Sequence, residues 1–139
     1  MAVAIKHQDF SEQLARGVHN WGTHTYKVML SNTAPLATNS VKADLTEIAA
    51  GNGYTAGGTE TTITVSETGG TTTISGTEVV FTATGAVGPF RYATVYNDTA
   101  PSDNLVQSYD YGSAVTLAAG ETFAVRFNDA SPGTILTIA

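Results

Sequence analysis

From Thr61 to its last residue the chain carries no helical period. Alternating runs, "TTITVSETGGTTTIS", "EVVFTAT", "FRYATVY", "LVQSY", "AVTLA", "TFAVRFN" and "TILTI", succeed one another between Gly, Pro, Asn or Asp. In "TFAVRFN", Phe123, Val125 and Phe127 share one face while Ala124 and Arg126 share the other. A period of two of this kind cannot be met by a helix. Strands in close succession with no helix between them predict an antiparallel β-sandwich or jelly-roll-like domain. A hairpin should turn at Gly69-Gly70, and Phe81 and Val95 should join Phe123, Val125 and Phe127 in the core. Thr occurs 23 times in 139 residues and supports the same reading, because its branched side chain fits a pleated, half-exposed surface.

The first half is different. In "HQDFSEQLARGVHNW" the residues Phe10, Leu14, Val18 and Trp21 fall at helical spacing, which predicts a helix of about two to three turns weakened at Gly17. "SVKADLTEIAAG" predicts a second short helix, with Asp44 and Glu47 as a capping-box-like pair and Gly51 closing it. "GNGYTAGG" reads as a loop whose only large residue is Tyr54. The chain thus divides into an N-terminal helical arm, residues 1–25, and a β-sandwich domain, residues 26–139. The fold class is mainly β with a short N-terminal helix.

One phrase occurs twice. "YKVMLSNTAP" (Tyr26–Pro35) is answered by "YATVYNDTAP" (Tyr92–Pro101), and "EIAAG" (Glu47–Gly51) by "TLAAG" (Thr116–Gly120). In each long copy a half-buried strand leaves its sheet through polar turn formers, and Pro stops the ladder from resuming. Two readings stand at this point: an internal pseudo-repeat with equivalent strands side by side, or convergence on a good turn sequence.

Charge is sparse, at 13% of residues, and the net −6 is carried wholly by residues 59–139, where Arg91 and Arg126 face eight carboxylates. Without a basic cluster, nucleic acid is not an expected partner. No apolar run approaches a membrane span. The opening "MAVAIKHQDF" lacks a signal peptide's apolar core, which predicts a chain kept in a cytoplasm unless it leaves in a particle. Cysteine is absent. His7, His19 and His24 have no carboxylate at metal-ligand spacing. Asp98, Asp103 and Asp110 lack the alternating calcium loop and read as solvated turn residues. No nucleophile elbow or phosphate loop occurs. The expectation is therefore a protein with no catalytic residues, cofactor or metal. The Thr-rich hairpin could form a ligand face, but reads first as an exposed hairpin. Tyr92, Tyr96, Tyr109 and Tyr111 could form a carbohydrate platform, but read first as core or rim.

"FSEQLARGVHNWGTHTYKVMLSNTAP" resembles the opening of a group of tailed-bacteriophage structural proteins. There a helix of the form Phe-x-x-x-Leu-x-x-Gly precedes a Thr-x-Lys-Val-x-Leu strand. The matching positions are Phe10, Leu14 and Gly17, then Thr25, Lys27, Val28 and Leu30. "KADLTEIAAGNGYTAGG" and "YDYGSAVTLAAGETFAVRF" are similar to phrases in the same proteins. The resemblance implies a virion protein with a β-sandwich body, assembled in the host cytoplasm and sited foremost on the capsid surface. As a head decoration (cement) protein it would bind the major capsid protein or other virion proteins and form a homo-oligomer, with a trimer favoured. A tail or fibre component and a glycan-binding module are the alternatives. Phe10, Leu14, Val18 and Trp21 are the expected protein interface. The competing reading is that they cap the protein's own sandwich.

Overall fold

The computed structural model describes residues 2–139. Its strands are β1 (Val3–Lys6), β2 (Tyr26–Ser31), β3 (Thr59–Thr61), β4 (Ile63–Thr68), β5 (Thr71–Gly76), β6 (Val79–Thr82), β7 (Val87–Asn97), β8 (Leu105–Leu117), β9 (Thr122–Val125) and β10 (Gly133–Ile138). Among the described residues, one helix, α1 (Phe10–Ala15), and a 3-10 turn, Lys42–Asp44, complete the regular structure. The protein is mainly β, as the alternation predicts, and every strand pairing is antiparallel.

Five strands form one layer in the order β1-β8-β7-β2-β3. The second layer holds β10-β5-β4 and the pair β6-β9. The chain passes from β5 to β6 and from β9 to β10, so these pairings form one long ladder with a break in it. At the break Thr77 and Glu78 lie opposite the extruded residues 126–132. Between the layers lies the main core, in which Val28, Leu30 and Val95 meet Val79, Phe81 and Phe127. Phe81, Val95, Val125 and Phe127 are buried as expected, whereas Phe123 is half-buried. The hairpin turns at Gly69 and Gly70, both at positive φ, with Thr68 opposite Thr71. Thr64, Ser66 and Thr68 are exposed on it.

The two copies of the repeated phrase lie side by side as β2 and β7. Tyr26 pairs with Asn97, Val28 with Val95 and Leu30 with Ala93. Partners across a ladder share a face, while neighbours along a strand do not. The first copy therefore turns its first, third and fifth residues to the core, and the second copy its second, fourth and sixth. A two-fold axis would bring the same positions to the same face. The copies are adjacent but not equivalent.

Residues 2–25 hold an edge strand as well as a short helix. Val3–Lys6 is an edge strand paired with residues 107–110 of β8. The expected two-to-three-turn helix is only six residues long, because Gly17 at φ +80° ends it. Gly17 N–H donates to the Leu14 carbonyl and Val18 N–H to that of Gln13, the paired bonds of a Schellman cap. The second expected helix is also corrected. Only Lys42–Asp44 coils, as a 3-10 turn; further on, Ile48 N–H donates to the Leu30 carbonyl and Ser31 bridges Glu47, so this part extends the edge of β2. Asp44 accepts from the Ser40 and Val41 N–H groups at 2.9 and 3.2 Å. Glu47 instead accepts from the Tyr54 hydroxyl at 2.6 Å and Gly57 N–H at 2.7 Å, which anchors the glycine loop.

Candidate functional site

The four residues expected at an interface divide into two pairs. Phe10 and Trp21 pack against the main core, and Trp21 stacks on the fully buried Tyr26 at 4.6 Å and 13°. Leu14 and Val18 are half-buried and lie outside that core cluster. Only Phe10 and Leu14 are helical, so the four do not share a helix face.

His19 lies between Phe10 and Trp21, at 5.1 and 5.7 Å from their rings. The Asn97 amide nitrogen reaches His24 Nδ1 at 2.9 Å, His19 Nδ1 at 3.3 Å and the Val18 carbonyl at 3.3 Å. Its carbonyl accepts from Thr99 and Ala100 N–H, building the turn of the second phrase. These histidines brace the aromatic cluster. On the other face of the large sheet, His7 Nε2 lies 2.8 Å from Ser108 Oγ, which lies 2.7 Å from Thr94 Oγ1. All three residues are fully buried.

Burial pushes His19 down to about 4, reinforced by His24 and opposed by Asp9. Burial also lowers His7. Each therefore binds fewer protons folded than unfolded below the ordinary value of 6.5. Their contribution to stability is complete above that value and is lost as pH falls below it, for His19 down to about 4. Denaturant unfolding between about pH 7 and pH 4 should show this loss. His19→Gln should reduce the slope and leave the His7 share; an unchanged slope would remove His19 from the account.

The acids do not gather. Asp98 pairs with Lys27 at 3.1 Å, while Asp110 takes both Arg91 Nε and Nη2, at 2.8 and 3.0 Å. Burial, with Asp98 nearby, raises Asp103. Among the described residues no group of three or more His, Cys, Asp or Glu is placed to hold a metal. The tyrosines divide as well. Tyr96 is buried with its hydroxyl on the Gly57 carbonyl at 2.5 Å, and Arg91 lies over Tyr92. Tyr92, Tyr109 and Tyr111 line a cleft of about 670 Å³.

This cleft is built by irregularities in both layers. In β8, Asp110 pairs with Tyr92 and Val115 with Phe90, so residues 111–114 bulge opposite Arg91. The Asp110 carboxylate holds that bulge by accepting from Gly112 N–H at 2.8 Å as well as from Arg91. Bulges re-aim side chains, and this one leaves Tyr111 52% exposed. In the facing layer, residues 126–132 are extruded, placing Asn128 and Asp129 at the mouth. Phe90, Phe123 and Tyr111 form an edge-to-face series at 4.9 and 5.2 Å. The sequence reading passed over Phe123 as core and over Asn128 and Asp129 altogether. The signals available were Gly112 beside Tyr111 and the turn-forming Asn128-Asp129 pair.

The fold and site define an antiparallel β-sandwich with a cleft lined in part by aromatic residues. No protein family, curated protein or solved structure matches the chain.

Proposed function

We propose that the protein is a bacteriophage virion structural protein, a head decoration protein that binds and stabilises the capsid shell and acts without catalysis. The observation that supports this reading best is the phage-like stretch from Phe10 to Pro35, whose matching positions build one compact unit. Gly17 ends α1, Phe10 packs inward, and Val28 and Leu30 enter the core from β2. Leu14 and Val18 remain at the surface of that unit as the apolar pair available to a shell. A homotrimer on the capsid surface is the assembly this reading favours.

Mass spectrometry of purified heads and purified tails tests it directly. The protein is expected in heads, and adding it to heads that lack it should raise their disruption temperature. The double variant Leu14→Glu, Val18→Glu should still fold but bind heads more weakly. Recovery in tails alone would move the protein to the tail or fibre class.

A further inference from the structure

The geometry points to a binding site for a neutral oligosaccharide in the cleft between Tyr111 and the Asn128-Asp129 turn. This goes beyond the virion reading and does not depend on where in a particle the protein sits.

The cleft's volume, about 670 Å³, lies within the range of small-molecule sites. Its floor is apolar, with Phe90, Val125 and Phe127 among the lining residues. Tyr111 and Phe123 stand at 77° to each other, so the half-exposed tyrosine adds ring surface at the entrance. A pyranose carries an apolar patch of C–H groups on its ring and hydroxyls around its edge. The aromatic floor suits the patch, and the mouth suits the hydroxyls.

Ser113, Asn128, Asp129 and Thr134 line the same space. Among the described residues, their side chains make no hydrogen bond to the rest of the chain. They are hydrogen-bonding groups left unspent beside an apolar surface. A purely hydrocarbon ligand would strip them of water and give nothing in return.

The charges narrow the class further. Both arginines of the cleft are already matched, Arg91 by Asp110 and Arg126 by Glu78. Asp129 enters no ion pair among the described residues. Among the described residues, an anionic ligand such as a phosphate, a sulfated sugar or a sialic acid would meet a carboxylate and no unpaired cation. A neutral polyhydroxylated ligand meets no such penalty.

The backbone of the turn adds an independent sign. Asn128 and Asp129 sit at φ +51° and +54°, between Phe127 and Ala130, which bridge each other. Two left-handed residues in succession define the turn type that prefers glycine at its second position. Here that position carries a carboxylate instead. Asp tolerates a left-handed φ less well than glycine does, so the carboxylate stands here at some backbone cost. Asp129→Gly should therefore relieve the turn while removing the ligand's partner.

The test uses the full-length protein on an array of neutral hexose and N-acetylhexosamine oligosaccharides, with sulfated and sialylated glycans and extended peptides as further arms. Wild type should bind at least one neutral oligosaccharide. Tyr111→Ala and Asp129→Gly should each weaken that binding at least about tenfold, a loss of about 1.4 kcal/mol. Asp129→Gly should melt no lower than wild type, which separates lost recognition from lost fold. The proposal fails if no neutral glycan binds, if sulfated, sialylated or peptide ligands are preferred, or if binding survives both substitutions.

Discussion

Gly58→Ala is expected to abolish folding or to cost at least about 4 kcal/mol, in the extreme tail of single substitutions. Gly58 is buried at φ +81°, where its N–H donates to the Thr55 carbonyl at 2.9 Å. A Cβ built there would lie 1.8 Å from the Val28 carbonyl oxygen and 2.9 Å from Met29 Cα. Both are backbone atoms of β2, the strand between β7 and β3, and cannot rotate away as a side chain would. The loop cannot retreat either. Tyr54 is tied to Glu47 and to Leu30 N–H, and the Tyr96 hydroxyl holds the Gly57 carbonyl. Gly70→Ala is the control: its φ is also positive, at +88°, but nothing lies within 4 Å of the added carbon. It should cost only the about 1–2 kcal/mol of a left-handed alanine. Urea unfolding of the two variants measures the difference. If Gly58→Ala lay within about 1 kcal/mol of Gly70→Ala, the close approach to β2 would not be rigid.

That contrast shows which features were readable along the chain. The alternation through Phe123, Val125 and Phe127 is local, so the strand character of the second half could be read directly. The glycines of "GNGYTAGG" were visible as a loop. However, the need for glycine at Gly58 comes from β2, which lies about thirty residues earlier in the chain and meets the loop only after folding. Helical spacing from Phe10 to Trp21 was real, yet one residue, Gly17, ended the helix before the face was complete. The repeated phrase left two readings open, and it falls on two adjacent strands whose register it did not hint at. Because that register pairs the first residue of one copy with the sixth of the other, like residues point to opposite faces. The cleft was the least visible feature. Its walls come from a bulge in β8 and an extrusion between β9 and β10, and neither strand alone carries the signal that they face each other.

Deleting residues 1–21 should destroy cooperative folding, because this segment is part of the sandwich and not an appendage to it. The deletion removes β1 and leaves the β8 edge unpaired from Gln107 to Asp110. It also strips Trp21 from the face of Tyr26 and Phe10 from the core beside it. Asn97 would lose the Val18 carbonyl and His19, two of the groups around its amide nitrogen. Truncating one buried aromatic costs about 3–5 kcal/mol, and half-burial of Phe10 and Trp21 reduces each share to about half of that at most. Together with the strand, the loss approaches the about 5–15 kcal/mol that stabilises a whole domain. Trp21→Ala alone should keep the fold but lower the urea midpoint clearly. Circular dichroism and urea unfolding of both proteins supply the readout. A truncated chain that kept its strand signal and its midpoint would show that the segment is spare to the core. Phe10 and Trp21 would then be free to join Leu14 and Val18 in contact with a shell. A truncated chain that unfolds confines any such contact to Leu14, Val18 and their surroundings, the residues the core does not use.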